Sequence, residues 1–483
     1  MPKRKQFIRH NQPVLTRLNP HQGNTRYLKG GGLTVVSSGA PQFWALTPHP
    51  TTYEMLGVRI GTGDLTTTHA DTLYAPDFNG VYQAFPADAP VWAGGRCELV
   101  GGPGTDVVKV FANDGPGGAP LPEMPYLQYY PGSTNSAFYS NTLDATAWTH
   151  TVGVDWAVDA VGLDGTPNSA VTVGDSSGST VHRIYATTSS SAAKVSDTAQ
   201  HTMVLWLKKD ADETVFPRII MGLLGGTPQN QAFTINKNTG VVAPLSGTGT
   251  TEVVDAGGWW KILVEMTSVA GNTNGNLDIS PAYSSTNGGS QDNTLQGSVV
   301  VGQVEFYYNK TIAEVRGLGP VFTTSAAVSV AATTYSFDIA NHNDDAGAYF
   351  VENNMGGYKQ SHALLALRAN ANSLMSVSGN AAAAQLTSWT LAGASSVTAL
   401  GSLVYDTPYK FGNSYSQTDN QLSINANDAW GTEIAYAGFN LTNNKLELCY
   451  HANFMTATKL RNLQRYDITS YQDGKDIIDG LMA

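Results

Sequence analysis

Apolar and polar positions alternate along much of this chain with a period of two, and the alternation breaks every few residues at Gly, Pro, Asn or Asp. Leu33-Thr34-Val35-Val36, Met55-Leu56-Gly57-Val58-Arg59-Ile60 and Val107-Val108-Lys109-Val110-Phe111 have the length and composition of single strands. Trp260, Ile262, Val264 and Met266 alternate as one face of a half-buried strand does. Asn272-Thr273-Asn274-Gly275-Asn276 and Asn287-Gly288-Gly289 supply residues that accept positive φ in tight turns. Helical spacing is confined to the end, where Ile477, Ile478 and Leu481 would dock a short C-terminal helix capped by Thr469 or Ser470. The pattern predicts an all-β protein.

Composition agrees. Only 13% of the 483 residues are charged, and Gly numbers 50, which suits many short strands and turns better than helices built on Ala, Leu, Glu and Lys. At ~150 residues per domain the length implies about three domains. The net charge of −11 conceals an asymmetry: Lys3, Arg4, Lys5, Arg9, Arg17, Arg26 and Lys29 put seven positive charges and no acid in the first 29 residues, leaving −18 on the rest. With Pro13 and Pro20 breaking any helix, this reads as an extended anchoring arm. Its two aromatics, Phe7 and Tyr27, and its interleaved Pro and Asn favour docking on an acidic protein surface over nucleic acid. Residues 1–30 lack the apolar core of a secretory signal, and no run approaches the ~18 apolar residues of a membrane span; a soluble protein made in a cytoplasm is expected. Cys97 and Cys449 read as free thiols.

Punctuation divides the chain into a basic arm (1–32), a small β connector domain (33–135) and two β-sandwich domains (136–328 and 329–483), the second ending in the short helix. Gly30-Gly31-Gly32 marks the first joint.

Several phrases carry a resemblance. Tyr139-Ser140-Asn141-Thr142-Leu143-Asp144-Ala145-Thr146-Ala147-Trp148-Thr149-His150-Thr151, then the strands His201–Lys209 and Gly257–Val264, then Val300–Glu305 and Leu318–Thr324, follow the order of a carbohydrate-binding-module-like β-sandwich that recurs in bacteriophage virion proteins. Val81–Trp92 and Tyr126–Asn135 resemble the lead-in to that module, with Val91 where an Arg is usual. Gly347–Glu352, Tyr409–Tyr415 with Gln421–Ala426, Lys445–Tyr450 and Leu460–Thr469 are similar to strands of a concanavalin-A-like or laminin-G-like jelly roll. The resemblance implies two tandem jelly rolls in a tailed-phage particle. It implies a tail fibre or receptor-binding protein adhering to bacterial surface glycans, or else a collar fibre or decoration protein with an architectural role.

Chemistry-bearing patterns are few. Glycan hydrolysis needs two facing carboxylates about 5–9.5 Å apart, whereas Asp344-Asp345, Glu352, Glu433 and Glu447 form no such pair in sequence. There is no G-x-S-x-G elbow, no H-E-x-x-H and no phosphate loop, so no enzyme and no cofactor is expected, and a spike depolymerase is disfavoured. Asp338, Asn341, Asn343, Asp344 and Asp345 are oxygen-rich, but their spacing fits an Asn/Asp turn better than a calcium loop. Trp206, Trp259 and Trp260 suggest an aromatic sugar platform, but they lie inside apolar strands and at least two of the three are expected in the core. Trp389, Tyr405, Trp430 and Tyr436 lie near turns of the second sandwich and are the expected glycan contacts. Several copies, a homotrimer by preference, would multiply weak single-site binding.

Overall fold

In the computed structural model the period-two segments pair into antiparallel sheets. The described residues are 65–94 without 78, 97–100, 107–110, 126–186, 191–193, 198–338, 345–355, 406–436, 458–466 and 468–482, with isolated strands at 27–29, 32–34, 43–45, 54–55, 362–370, 373–380, 385–389, 395–399 and 445–448.

The first sandwich has two six-stranded sheets. One runs, in spatial order, Val154–Ala160, Ala170–Asp175, Gly297–Tyr307, Gln200–Lys208, Trp259–Thr267, Thr250–Ala256; the other runs Trp148–His150, Ile184–Ala186, Asn274–Ser284, Phe216–Leu224, Gln229–Ile235, Val242–Gly247. Connections repeatedly cross from one sheet to the other, as in jelly rolls. Between them lies a core that includes Met203, Leu205, Ile219, Met221, Phe233, Ile262, Val264, Ile279 and Phe306. A short ladder of Ser133–Asn135 with Val328–Val330 joins the two ends of this unit.

The phrases that carry the resemblance meet in space, and their polar residues weld the ends of the sandwich. Ser140 Oγ accepts from Thr323 N at 2.9 Å and from Gln303 Nε2 at 2.9 Å, while Thr323 Oγ1 donates to Ala137 O at 2.6 Å. Asn135 Nδ2 donates to Val321 O at 2.7 Å, and Trp148 Nε1 to Phe138 O at 2.9 Å. These buried groups are paired, as burial demands.

One expectation needs correction. Trp260, Ile262, Val264 and Met266 do face the inner core, but their strand is not half-buried: Trp259, Lys261 and Leu263 on its other face are buried as well. The covering layer is the segment read as a connector. Its hairpin Leu73–Pro76/Tyr82–Phe85, with Val91, Ala93, Tyr130 and the crossing 312–330, packs on Val204, Trp206, Trp259 and Leu263. The near-continuous apolar run Met203–Leu207 is therefore buried on both faces, a composition that two-sided burial requires. At the hairpin turn Gly80 and Gly257, both at positive φ, meet so closely that a Cβ on either would lie 2.9 Å from the other's Cα.

The covered face holds two buried charged groups of opposite sign, Lys261 and Glu305, each held by its own hydrogen bonds. Lys261 Nζ donates to the carbonyls of Val315, Arg316 and Leu318 at 3.0, 2.9 and 2.7 Å, and Glu305 accepts from Val321 N at 2.8 Å and Trp206 Nε1 at 3.3 Å. Burial lowers the Lys261 ammonium from 10.5 to about 8 against the pull of Glu305, and it raises Glu305 in turn. Burial also holds Tyr82, Tyr130 and Tyr307 above their usual 10.0. Between about pH 8 and 10.5 the unfolded chain holds a proton that folded Lys261 has shed, so stability rises with pH. Above 10 the unfolded tyrosines ionise first, and stability falls. Denaturation midpoints are expected to climb above pH 8, peak near 10 and then decline. A profile that falls steadily from pH 8 would rule out the desolvated lysine as a determinant.

The second sandwich recruits strands from the same connector segment. One sheet runs Ala429–Trp430, Gln421–Ala426, Pro408–Ser416, Ala346–Met355, Thr458–Tyr466, Tyr126–Tyr129, Trp92–Ala93, with Phe43–Ala45 also on Thr458–Tyr466. The other runs Ser395–Ala399, Gln385–Trp389, Ser373–Asn380, His362–Asn370, Lys445–Leu448, Thr334–Asp338, Leu65–Thr68. Segment 33–135 thus serves both sandwiches. Tyr335 hydroxyl donates to Gln128 O at 2.8 Å, and Arg316 bonds both Glu252 of the first sandwich and Asp406 of the second. The C-terminal helix is Tyr471–Met482; Ser470 Oγ accepts from Asp473 N at 3.2 Å as its cap, and Ile477 and Ile478 are buried against the sheet, with Leu481 packed beside them.

Candidate functional site

The sheet Ile184–Ala186, Asn274–Ser284, Phe216–Leu224, Gln229–Ile235 sends every second side chain into the core, so the intervening residues form its outer face. Register places Tyr185 opposite Asp278, Asp278 opposite Ile220, and Arg218 between Ser280 and Thr234. Arg183 precedes the Tyr185 strand and is fixed there by Thr151, whose Oγ1 accepts from Arg183 N at 2.8 Å.

On this face two arginines flank one carboxylate. Arg183 bonds Asp278 Oδ2; Arg218 lies 3.5 Å from Asp278 Oδ1 and donates to Ser280 Oγ at 3.1 Å. Each guanidinium lies over a tyrosine ring: Arg183 is 4.8 Å from the Tyr185 centroid, and Arg218 is 4.8 Å from that of Tyr283. Asp278 is buried beneath them, whereas the Arg183 side chain remains 42% exposed. The result is an aromatic and cationic patch in which the Arg183 guanidinium stays partly open to solvent. Such forks match carboxylates bidentately and also serve hydroxyls. A single carboxylate already engaged by two arginines is not the facing pair that glycoside hydrolysis uses.

The expected glycan contacts fall elsewhere. Tyr436 is 2% exposed and packs edge-on to Tyr415 at 5.2 Å, so it is a core residue and not a surface contact, the turn nearby notwithstanding. Trp430 is half-buried; its Nε1 donates to Asp479 Oδ1 at 2.6 Å and Lys475 Nζ sits 4.7 Å from its ring, so helix 471–482 occupies its edge and one face. The strand Gln385–Trp389 is placed by its backbone, and Trp389's side chain and Tyr405 lie outside the described residues. Lys29 is on the strand Tyr27–Lys29; Lys3, Arg4, Lys5, Arg9, Arg17 and Arg26 lie outside the described residues, as do Asn341, Asn343 and Asp344 of the oxygen-rich segment. Trp206, Trp259 and Trp260 are all core residues, where at least two of the three were expected. Glu433 bonds the Tyr471 hydroxyl and Lys475, each at 3.2 Å.

Sequence reading missed Arg183, Tyr185, Arg218, Asp278 and Tyr283. Their signal was present: Arg183/Tyr185 and Asp278/Ser280 are polar or amphipathic residues at period two within apolar strands. Which strands are adjacent, however, depends on pairing between residues 62 and 95 positions apart.

No family model and no curated sequence matches the chain. Among solved structures it is similar to Trypanosoma rangeli sialidase (9% identity, TM-score 0.25, covering 65% of this chain and 60% of that one). It is also similar to domains LG4-5 of the mouse laminin alpha1 chain (8%, TM-score 0.22, 66% and 89%) and to the N-terminal CBM22 tandem domain of a Paenibacillus barcinonensis protein (8%, TM-score 0.23, 70% and 99%). The match spans less than two thirds of the sialidase chain. Likenesses at these TM-scores carry no functional argument.

Proposed function

We propose that this chain is a glycan-adhesion protein of a tailed-phage particle, and that the outer sheet face of the first sandwich is its binding surface. The observation that carries the reading is the pair of stacked Arg–Tyr units around Asp278. With two guanidinium groups against one carboxylate, the face favours acidic sugar units. The phage assignment rests on the ordered phrases of the sequence, and the basic arm is the natural contact with other particle proteins. Several copies, most simply a trimer, would supply avidity, and the single engaged carboxylate supports a reading of binding without hydrolysis at this face.

The full chain, tested on an array of bacterial capsular and lipopolysaccharide glycans, is expected to bind at least one acidic polysaccharide. Arg183→Ala and Tyr283→Ala are each expected to weaken that binding about tenfold with the fold unchanged, because partly exposed Arg and Tyr dominate such contacts. Unchanged binding in both variants would overturn the assignment of this face. An architectural reading has its own support in the strands shared between sandwiches and the Arg316 bridge, which make the two modules a stiff spacer. It takes over if no surface glycan is bound and electron microscopy places the protein on the capsid.

A further inference from the structure

The strand Val154–Ala160 ends one sheet of the first sandwich. It pairs with Ala170–Asp175 on one side and, among the described residues, with no strand on the other. Such an edge presents a row of open N–H and C=O groups, a template for a further strand. Of the three large apolar side chains left exposed among the described residues, Val152, Val161 and Val241, the first two bracket this strand.

The side chains of the edge restrict what can pair with it. Val154, Trp156 and Val158 pack on the core but stay only half-buried, so the core is thinly covered here. Asp155, Ala157 and Asp159 alternate with them and are exposed. Between Lys109 and Arg183 the chain holds seven acids and no Lys or Arg. Two such edges paired antiparallel about Ala157 would set Asp155 against Asp159, and like charges directly opposite are destabilising. A fitting strand instead brings two cations four residues apart. In this sequence only Lys5/Arg9 and Arg461/Arg465 have that spacing, and the second pair belongs to Thr458–Tyr466, which is flanked by strands on both sides.

We infer that residues 5–9 of a second copy of this chain add to the edge as an antiparallel strand, with Lys5 opposite Asp159, Phe7 opposite Ala157 and Arg9 opposite Asp155. In that register Ile8 falls opposite Trp156 and extends the core. Main-chain hydrogen bonds supply affinity and the alternate charges fix register. An arm exchanged between copies is a low-cost route to an oligomer, and it does not depend on the glycan reading. The test uses two full-length variants, one carrying Lys5→Asp with Arg9→Asp and the other Asp155→Lys with Asp159→Lys, in analytical ultracentrifugation at low salt, where exposed charges are least screened. The wild-type chain is expected to self-associate, and each variant alone to do so at least about tenfold more weakly, because each sets like charges against one another. Mixed in equal amounts, the two are expected to associate again, since the acidic arm of one meets the basic edge of the other. Only exchange between chains produces that recovery. Circular dichroism checks that both variants keep the wild-type fold, and removal of residues 1–10, which takes away no described strand, is the second variant expected to lose self-association. The inference is overturned if the wild-type chain is monomeric, as it would be with each arm on its own edge, if either folded variant or the shortened chain self-associates as the wild type does, or if the folded variants stay apart when mixed.

Discussion

Replacing Lys261 with methionine is expected to lower the stability of the folded chain by about 3–5 kcal/mol, the cost of leaving three buried carbonyl acceptors and a buried opposite charge uncompensated. Methionine keeps most of the aliphatic volume, so the cavity contribution is small. What is lost is electrostatic: the Val315, Arg316 and Leu318 carbonyls lose their shared donor, and Glu305, wholly buried, loses its countercharge. Urea unfolding of the two proteins measures the difference. The Lys261→Met, Glu305→Gln double variant is expected to recover part of the loss, because it also removes the uncompensated carboxylate. A cost under about 1 kcal/mol would mean that water screens these charges, and the cavity beside Lys261 would be its route.

The second large effect concerns truncation. A fragment 329–483, the second sandwich as delimited by sequence, is expected not to fold cooperatively. It lacks Leu65–Thr68 from one sheet, and Phe43–Ala45, Trp92–Ala93 and Tyr126–Tyr129 from the other. Without Tyr126–Tyr129 the strand Thr458–Tyr466 becomes an edge with unpaired backbone groups, and Tyr335 loses its acceptor on Gln128. Circular dichroism and a hydrophobic-dye assay on the fragment, compared with the full chain, decide the matter. A sharp unfolding transition close to that of the full chain would show that the added strands are dispensable.

These two cases mark where local and non-local information divide. Strand content, the turn at Asn287-Gly288-Gly289, a terminal helix capped by Thr469 or Ser470, and the burial of at least two of Trp206, Trp259 and Trp260 were legible in the sequence, because each depends on a periodicity or a side-chain preference spanning a few residues. Tertiary structure alone decided what covers the run Met203–Leu207, because that depends on which distant segment docks there. It likewise sent Tyr436 inward, placed helix 471–482 against Trp430, carried strands of the connector into the second sandwich, and set Arg183 and Arg218 on either side of Asp278. A strand's period of two states that its two faces differ; only long-range pairing determines what each face meets.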